Sequence, residues 1–424
     1  MVKTQGIFSF FENLSNLIWG PALLVPVLVT GAFFTFATGF FPLRKAGFIV
    51  KSTFGRIFKS KSAFSATATA LGATVGTGNI VGVVSAIAMG GPGAIFWMWV
   101  GAFLGMMLKF AEAALSVKYG GGANVYIEKA LGGKRLSYLW CICCVLCSFG
   151  GGNMIQTNSA GAVFSGAFGI SPVFIGLLIS LFAGAVIFFG TKAVTKVSSY
   201  LVPVMAVIYI LGCSAVLFIC RGNILPAFEA IFKSAFKPLS LGGGISGLII
   251  SEALRTGIAK GTFTNEAGMG SASLAHAESE EKNPLIQGCW GAVEVFIDTI
   301  FVCSFTALVL LCSGFSSADE VFGGYFGKSG DVFLCVSMFL FALAAVIGWA
   351  FYGEKALLHI TKSKIMIFLY RILFLFAAFC GSFLDLDFIW NFTDIFNGLM
   401  IFPNILALLF LAPEIIKITK NPAH

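Results

Sequence analysis

Residues 70–80 read Ala70-Leu71-Gly72-Ala73-Thr74-Val75-Gly76-Thr77-Gly78-Asn79-Ile80, a run of small and polar residues in the middle of an apolar stretch spanning residues 64–89. A second such run, Gly261-Thr262-Phe263-Thr264-Asn265-Glu266-Ala267-Gly268-Met269-Gly270-Ser271, falls late in the stretch 242–270. In lipid, a helix is interrupted only where the freed backbone groups line a cavity or are buried in protein, so both runs mark sites. Gly72 and Gly76, four apart, also suit close helix packing. Packing accounts for the glycines but not for the adjoining Thr77-Gly78-Asn79.

Outward from these runs the chain is apolar almost throughout. Of its 424 residues 58% are hydrophobic and only 11% charged, with a mean hydropathy of +0.94; ordinary globular domains carry about a quarter charged residues. Apolar stretches near the roughly 20 residues needed to cross a bilayer are expected as spans at 17–41, 64–89, 93–117, 137–166, 172–190, 197–220, 242–270, 288–313, 331–353, 364–381 and 388–412. These eleven predict an all-α polytopic membrane protein, since stretches this long and continuous do not suit barrel strands. The first is too long for a secretory signal core and is followed by a basic loop, so it reads as a retained span. Glu252, Arg255 and Lys260 interrupt the seventh.

With the first span set aside as an addition, ten remain, and each run of small residues falls in the first span of a set of five. Five is odd, so the two sets have opposite orientation and their broken helices meet near the midplane, as in an inverted repeat. The expected division of the single membrane domain is an extra helix and basic loop (1–62), a first repeat (63–220), a second repeat (221–412) and a cytoplasmic tail (413–424). Eighteen of the 27 Lys and Arg lie on the side of the C-terminus, against five (Lys3, Arg221, Lys233, Lys237 and Lys328) on the other. The excess predicts a multi-pass inner-membrane protein with its N-terminus outside and its C-terminus in the cytoplasm. The formal charge of +8 is therefore a topology signal toward an anionic leaflet, not a nucleic-acid surface.

Half-helix N-termini offer free N–H groups that suit a carboxylate, and half-helix C-termini offer carbonyl oxygens that suit a hard cation. A small zwitterion fits between them. Glycines at 72, 76 and 78 let it approach the backbone, and Thr77 and Asn79 add a hydroxyl and an amide. Asp298, in an apolar span, reads either as a cation ligand or proton-linked switch, or as a structural partner of a helix end or Arg255. Gln156 and Asn158 suit substrate contact or a tie between helices. Trp349 suits a lid over an aliphatic side chain or an interfacial anchor. Lys109 and Glu112 read as a snorkelling i,i+3 pair near a cytoplasmic helix end, and Glu294 as solvated. Cys141, Cys143, Cys144 and Cys147 point in several directions from one helix with no nearby His, which favours packing over metal binding.

His276, His359 and His424 are scattered, and Gly132-Gly133-Lys134-Arg135 lacks the spacing and the Ser/Thr of a phosphate-binding loop. Nucleotide-driven transport and a catalytic cofactor are not expected; the energy source is an ion gradient. The rival classes are a channel, which would pass single-channel current, and a membrane-embedded enzyme, which would need catalytic polar clusters.

The run Gly72 to Asn79, then Gly90-Gly-Pro-Gly-Ala-Ile-Phe-Trp-Met-Trp99, Lys109-Phe-Ala-Glu112, Gly261 to Ser271 with Ala275-His276-Ala277, and Phe296-Ile-Asp-Thr299 resemble the signature of the alanine or glycine:cation symporter family, over about residues 15–412. The resemblance implies a leucine-transporter-like core of ten helices after one extra helix, with sodium-coupled uptake of L- or D-alanine and glycine by alternating access. It places Gly76, Thr77, Gly78, Asn79, Gln156, Trp349 and the segment Asn265, Glu266, Gly268, Met269, Gly270 and Ser271 around the substrate. Where the family carries Ser/Thr hydroxyls ahead of the Gly-Trp pair, this chain reads Ala344-Ala345-Val346-Ile347-Gly348-Trp349. A sodium ion there would have only backbone carbonyls, of Val75 and Ala345, and water. Coupling then falls to Asp298 and Thr299, to the substrate carboxylate, or to protons. The alternative on the same scaffold is a proton-coupled or facilitative carrier of another small zwitterion.

Overall fold

A computed structural model describes residues 2–57, 60–236, 252–384 and 386–420. The opening part of the expected seventh span, 242–251, lies outside these, as do Lys59, Lys237 and His424. All regular structure among the described residues is helical. In chain order the main helices are α1 (Val2–Ile18), α2 (Pro21–Ala37), α3 (Lys61–Thr74), α4 (Gly78–Gly90), α5 (Gly93–Tyr119), α6 (Lys134–Phe168), α7 (Pro172–Ile187), α8 (Thr191–Ile219), α9 (Glu252–Asn265), α10 (Pro284–Ser313), α11 (Lys328–Ile360), α12 (Lys364–Gly381) and α13 (Leu386–Phe410). Seven of them are long and apolar enough to cross a membrane, and α3 with α4, bent by 44°, makes an eighth span. Prolines in the first turn of α2, α7 and α10, where an N–H would be unpaired in any case, set where those helices begin.

Burial sorts the helices into centre and rim. Two thirds of the most apolar window of α11 is buried inside the molecule, against about a quarter for α8 and α12. Residues such as Leu211, Phe218, Leu373 and Phe376 face outward. Apolar surface on that scale is compatible with lipid, not with water. In the centre, small residues let backbones touch: a Cβ on Gly257 would stand 2.2 Å from the Ala94 carbonyl oxygen, and one on Gly348 2.8 Å from the Cα of Ala73. These contacts fix α9 against α5, and α3 against α11.

Several boundaries differ from expectation. The chain opens with α1, which packs against α13; the Trp19 indole, just past its end, donates to the Asp394 carbonyl at 2.8 Å. The first break is only Val75–Thr77. The helix continues through Gly72, which packs beside Val202 and Ala344, so the packing reading holds for that glycine. The second break begins at Glu266 rather than Gly261 and ends at the short helix Ser273–His276. Helix α11 runs on to Ile360, past the expected end at 353, and the charges it takes in, Glu354 and Lys355, are paired with Arg371 (2.7 Å) and Glu278 (2.6 Å). Trp349 is therefore well inside its helix.

Candidate functional site

The two breaks face each other. The nearest neighbours of a Cβ built on Gly78 would be the Thr264 methyl (3.6 Å) and the Phe263 ring (3.7 Å). Between them lies a cavity of ≈ 20 Å³ lined by Ala73, Thr74 and Gly78 from the first, Phe263, Thr264, Glu266 and Met269 from the second, and Gly151, Gln156, Trp349 and Asn397 from the surrounding helices. Asn397 was not singled out from the sequence; an amide on an apolar helix was its only signal. Phe263 also walls a second cavity of ≈ 110 Å³ on its other side, where Arg255, Lys260, Asp394 and Trp19 gather. Its ring lies 4.8 Å from that of Trp390.

Each side of the cavity is positioned by its own element. At the first break Val75 leaves the helical conformation (φ −76°, ψ 85°). The Asn79 side chain caps the turn: its Oδ1 accepts from the Gly76 N–H at 3.0 Å, while its Nδ2 donates to Asp298 Oδ1 at 2.8 Å. The Thr77 N–H and hydroxyl both donate to Gln156 Oε1, each at 2.9 Å, and Gln156 Nε2 donates back to the Gly151 carbonyl. Gly151 lies in a π-helical segment, Gly150–Met154, within α6. That wider turn lets the Trp349 indole lie on the backbone of Gly152, where a Cβ would be 2.0 Å from the indole Cγ. The first break abuts α11 at Ala345, whose methyl would stand 3.2 Å from a Cβ on Gly76.

At the second break Glu266, Gly268 and Gly270 all have positive φ (55°, 92° and 79°), a conformation that glycine adopts freely. The Ser271 hydroxyl donates to the Glu266 carboxylate. Contrary to expectation, two N–H groups of this break, those of Gly268 and Gly270, are not free for a ligand but are taken by Glu112.

Asp298 joins the two breaks. Its Oδ1 accepts from Asn79 and its Oδ2 from the Thr299 hydroxyl (2.7 Å), which in turn accepts from Asn265 Nδ2 (3.1 Å). It sits in a second π-helical segment, Phe296–Cys303. Arg255, the other suggested partner, pairs with Glu252 instead. Behind the lining, the cluster thus holds one carboxylate beside one hydroxyl oxygen, donors of the kind that suit a hard cation, with the Asn79 and Asn265 amide nitrogens turned toward them.

Elsewhere the structure departs from what the sequence suggested. Lys109 and Glu112 are fully buried and do not snorkel; Lys109 pairs with Glu294 at 3.3 Å, and Glu294, far from being solvated, also meets His276 Nε2 at 3.0 Å. The partners of Lys109 and Glu112 lie more than 150 residues away in sequence, beyond the reach of local pattern. Asn158 ties α6 to the end of α12 through the Gly381 and Leu384 carbonyls. Of the cysteines on α6, Cys147 donates to Asn397 Oδ1 at 2.8 Å.

Helices of membrane-crossing length, with one interrupted span facing another break across a small polar cavity, define a polytopic membrane transporter. The chain belongs to the sodium:alanine symporter family, whose model matches residues 4–423. It is 38% identical to the sodium/alanine symporter AgcS of Methanococcus maripaludis, over 97% of this chain and 96% of that one, and 34% identical to the probable sodium/glutamine symporter GlnT of Bacillus subtilis, over 98% and 91%. Its fold matches that of MhsT, solved in complex with L-phenylalanine, with a TM-score of 0.59 at 15% identity, covering 85% of this chain and 98% of that one. The protein is a transporter and not an enzyme.

Proposed function

We propose that this protein imports a small neutral amino acid, alanine or glycine, together with sodium, by alternating access across the inner membrane. The reading places eleven spans, N-terminus outside and C-terminus in the cytoplasm, with two five-helix repeats meeting at the cavity. A single observation carries it: the second break and the helix ends on either side of the first, from separate halves of the chain, line one small cavity, and the two are bridged by Asn79 and Asp298.

In this reading the substrate's carboxylate goes to the first break. The Gly78 N–H heads α4 and has no hydrogen-bond partner among the described residues, and the Thr77 N–H is held by an amide oxygen that a carboxylate would replace. Gln156 swings aside and becomes an orienting contact. The ammonium group faces the Thr264–Glu266 side. Sodium is carried at Asp298 and Thr299, with the Asn79 amide turned to present its oxygen. The Val75–Ala345 corner offers backbone oxygens only, which makes Asp298 the dominant ion ligand.

The test is uptake of labelled alanine into proteoliposomes, with an inward sodium gradient or with choline replacing sodium at fixed pH. A saturable sodium requirement is expected. Equal uptake in choline that instead follows an imposed pH gradient would replace sodium by protons, and no uptake under either gradient would sink the reading.

Trp349 sets the size limit. Truncating a buried Trp opens a cavity that the surroundings fill only partly. Trp349→Ala is therefore expected to lower alanine affinity by about tenfold and to admit leucine or methionine, a discrimination of the order that one or two methylenes in a pocket provide. Competition of labelled alanine uptake by a panel of amino acids reads this directly, and an unchanged panel would remove Trp349 from the pocket.

A further inference from the structure

Two of the N–H groups that the second break exposes, those of Gly268 and Gly270, are already occupied, and by an anion the protein supplies itself. Glu112 Oε1 accepts from the Gly268 N–H at 2.9 Å, from the Gly270 N–H at 3.1 Å and from Asn404 Nδ2 at 2.8 Å. Asn404 Nδ2 also reaches the Gly268 carbonyl at 2.9 Å, and its Oδ1 accepts from the Tyr126 hydroxyl at 2.6 Å. On the same turn the Trp140 indole donates to the Met269 carbonyl at 2.8 Å. Glu112, Asn404, Tyr126 and Trp140 are all fully buried.

Backbone N–H groups converging from such a turn form a concavity that binds anions, and a carboxylate held by several donors bonds about twice as strongly as a neutral acceptor. One residue of α5 thus fixes two left-handed glycines of another element through a single oxygen, while its second oxygen, Oε2, has no hydrogen-bond partner among the described residues. Lys109, one turn earlier, makes its ion-pair contact with Glu294 at 3.3 Å, while its charge also attracts Glu112. The side chain touches the back of the break, not the cavity lining.

We propose that Glu112 is a positioning residue: an internal anion that fills the amide nest of the second break, holds Glu266 and Met269 at the cavity, and thereby leaves the first break as the sole receptor for the substrate's carboxylate. The part concerning substrate rests on the function proposed above.

Two measurements on Glu112→Ala, Glu112→Gln and Asn404→Leu test it: amide hydrogen exchange across residues 266–276, and KM and Vmax for sodium-driven alanine uptake. In Glu112→Ala, exchange at Gly268 and Gly270 is expected to quicken by about tenfold or more, as the locally stabilised turn opens, and KM to rise by about tenfold while Vmax falls less. Glu112→Gln keeps an acceptor oxygen in the place of Oε1 but loses the charge, so it is expected to show part of the effect and to stay well short of Glu112→Ala in both assays. Asn404→Leu, which removes one of the three donors, should fall between the two. If Glu112→Ala does not yield monodisperse protein, Glu112→Asp, which withdraws the oxygen by one methylene, is read in its place with the same expectation. Unchanged exchange in the Ala or Asp variant, or a Gln variant as impaired as the Ala one, would overturn the proposal. If the wild type takes up no alanine, the proposed function fails, while the exchange data still decide the role of Glu112.

Discussion

Asn79→Ala is expected to abolish sodium-driven alanine uptake while leaving membrane expression near normal. The side chain makes two buried connections at once, capping the Gly76 N–H and donating to Asp298 Oδ1. Truncation strands a backbone donor and weakens the hold on a buried carboxylate. A buried group left unsatisfied costs about 1–3 kcal/mol, and more where it is charged. Two such losses at one point amount to roughly 3 kcal/mol or more, a factor of about a hundred in any equilibrium that needs the closed geometry. The backbone of the break is otherwise retained: the Thr306 hydroxyl bonds to the Asn79 carbonyl, which Ala also has. Initial rates in proteoliposomes, normalised to the amount of reconstituted protein, give the result. Wild-type kinetics would remove Asn79 from the site and leave the bridge to Asp298 without a role in transport.

Gly152→Ala is the second large expected effect. Its Cβ would stand 2.0 Å from Trp349 Cγ and 2.2 Å from Trp349 Cβ, well inside contact distance. Neither helix has room to retreat: α11 is held at Gly348 against the backbone of Ala73, and α6 at Met154 against Gly381 of α12. Overpacking of this kind costs about 1–3 kcal/mol, with the displaced indole driven toward the cavity. Uptake is expected to fall by about tenfold or more, with a lower melting temperature in detergent. In the double variant Gly152→Ala/Trp349→Ala the fall in melting temperature should be smaller than the sum of the two single falls, since the clashing partner is gone and the two changes are not additive. If the two single falls simply add in the double variant, the contact is not the cause.

Features written in adjacent residues were legible in the sequence. The two small-residue runs announced where helices stop, because polar Thr and Asn beside glycine in an apolar span are stable in lipid only when protein or a cavity shields them. Asp298 stood out because an isolated carboxylate in such a span needs a partner. The resemblance of residues 72–79 and 261–271 to one family gave the fold, and it alone moved Trp349 from the membrane interface to the pocket. What could not be read depends on pairing at long range. Lys109, Glu112 and Glu294 look like solvated charges one at a time; their burial follows only when α5, α10 and the second break are brought together. The end of α11 was misplaced for the same reason, since Glu354 and Lys355 carry charges that Arg371 and Glu278 answer from other elements. The π-helical turns at 150–154 and 296–303 leave no trace in composition, because a wider turn keeps the same apolar residues and changes only which of them face inward.

Those widened turns also decide where the chain can lose length. An α-helix advances by about 100° per residue, and a π-turn absorbs one residue more than its neighbours need. Deleting a single glycine from Gly150–Gly152 would therefore let α6 relax to uniform winding while the residues beyond Met154, Gln156 among them, keep their facing; the same deletion within the α-helical stretch Ile155–Phe168 would turn everything after it by about a quarter-turn around the axis. The surplus residue serves only its own turn, where it makes the bed on which the Trp349 indole lies.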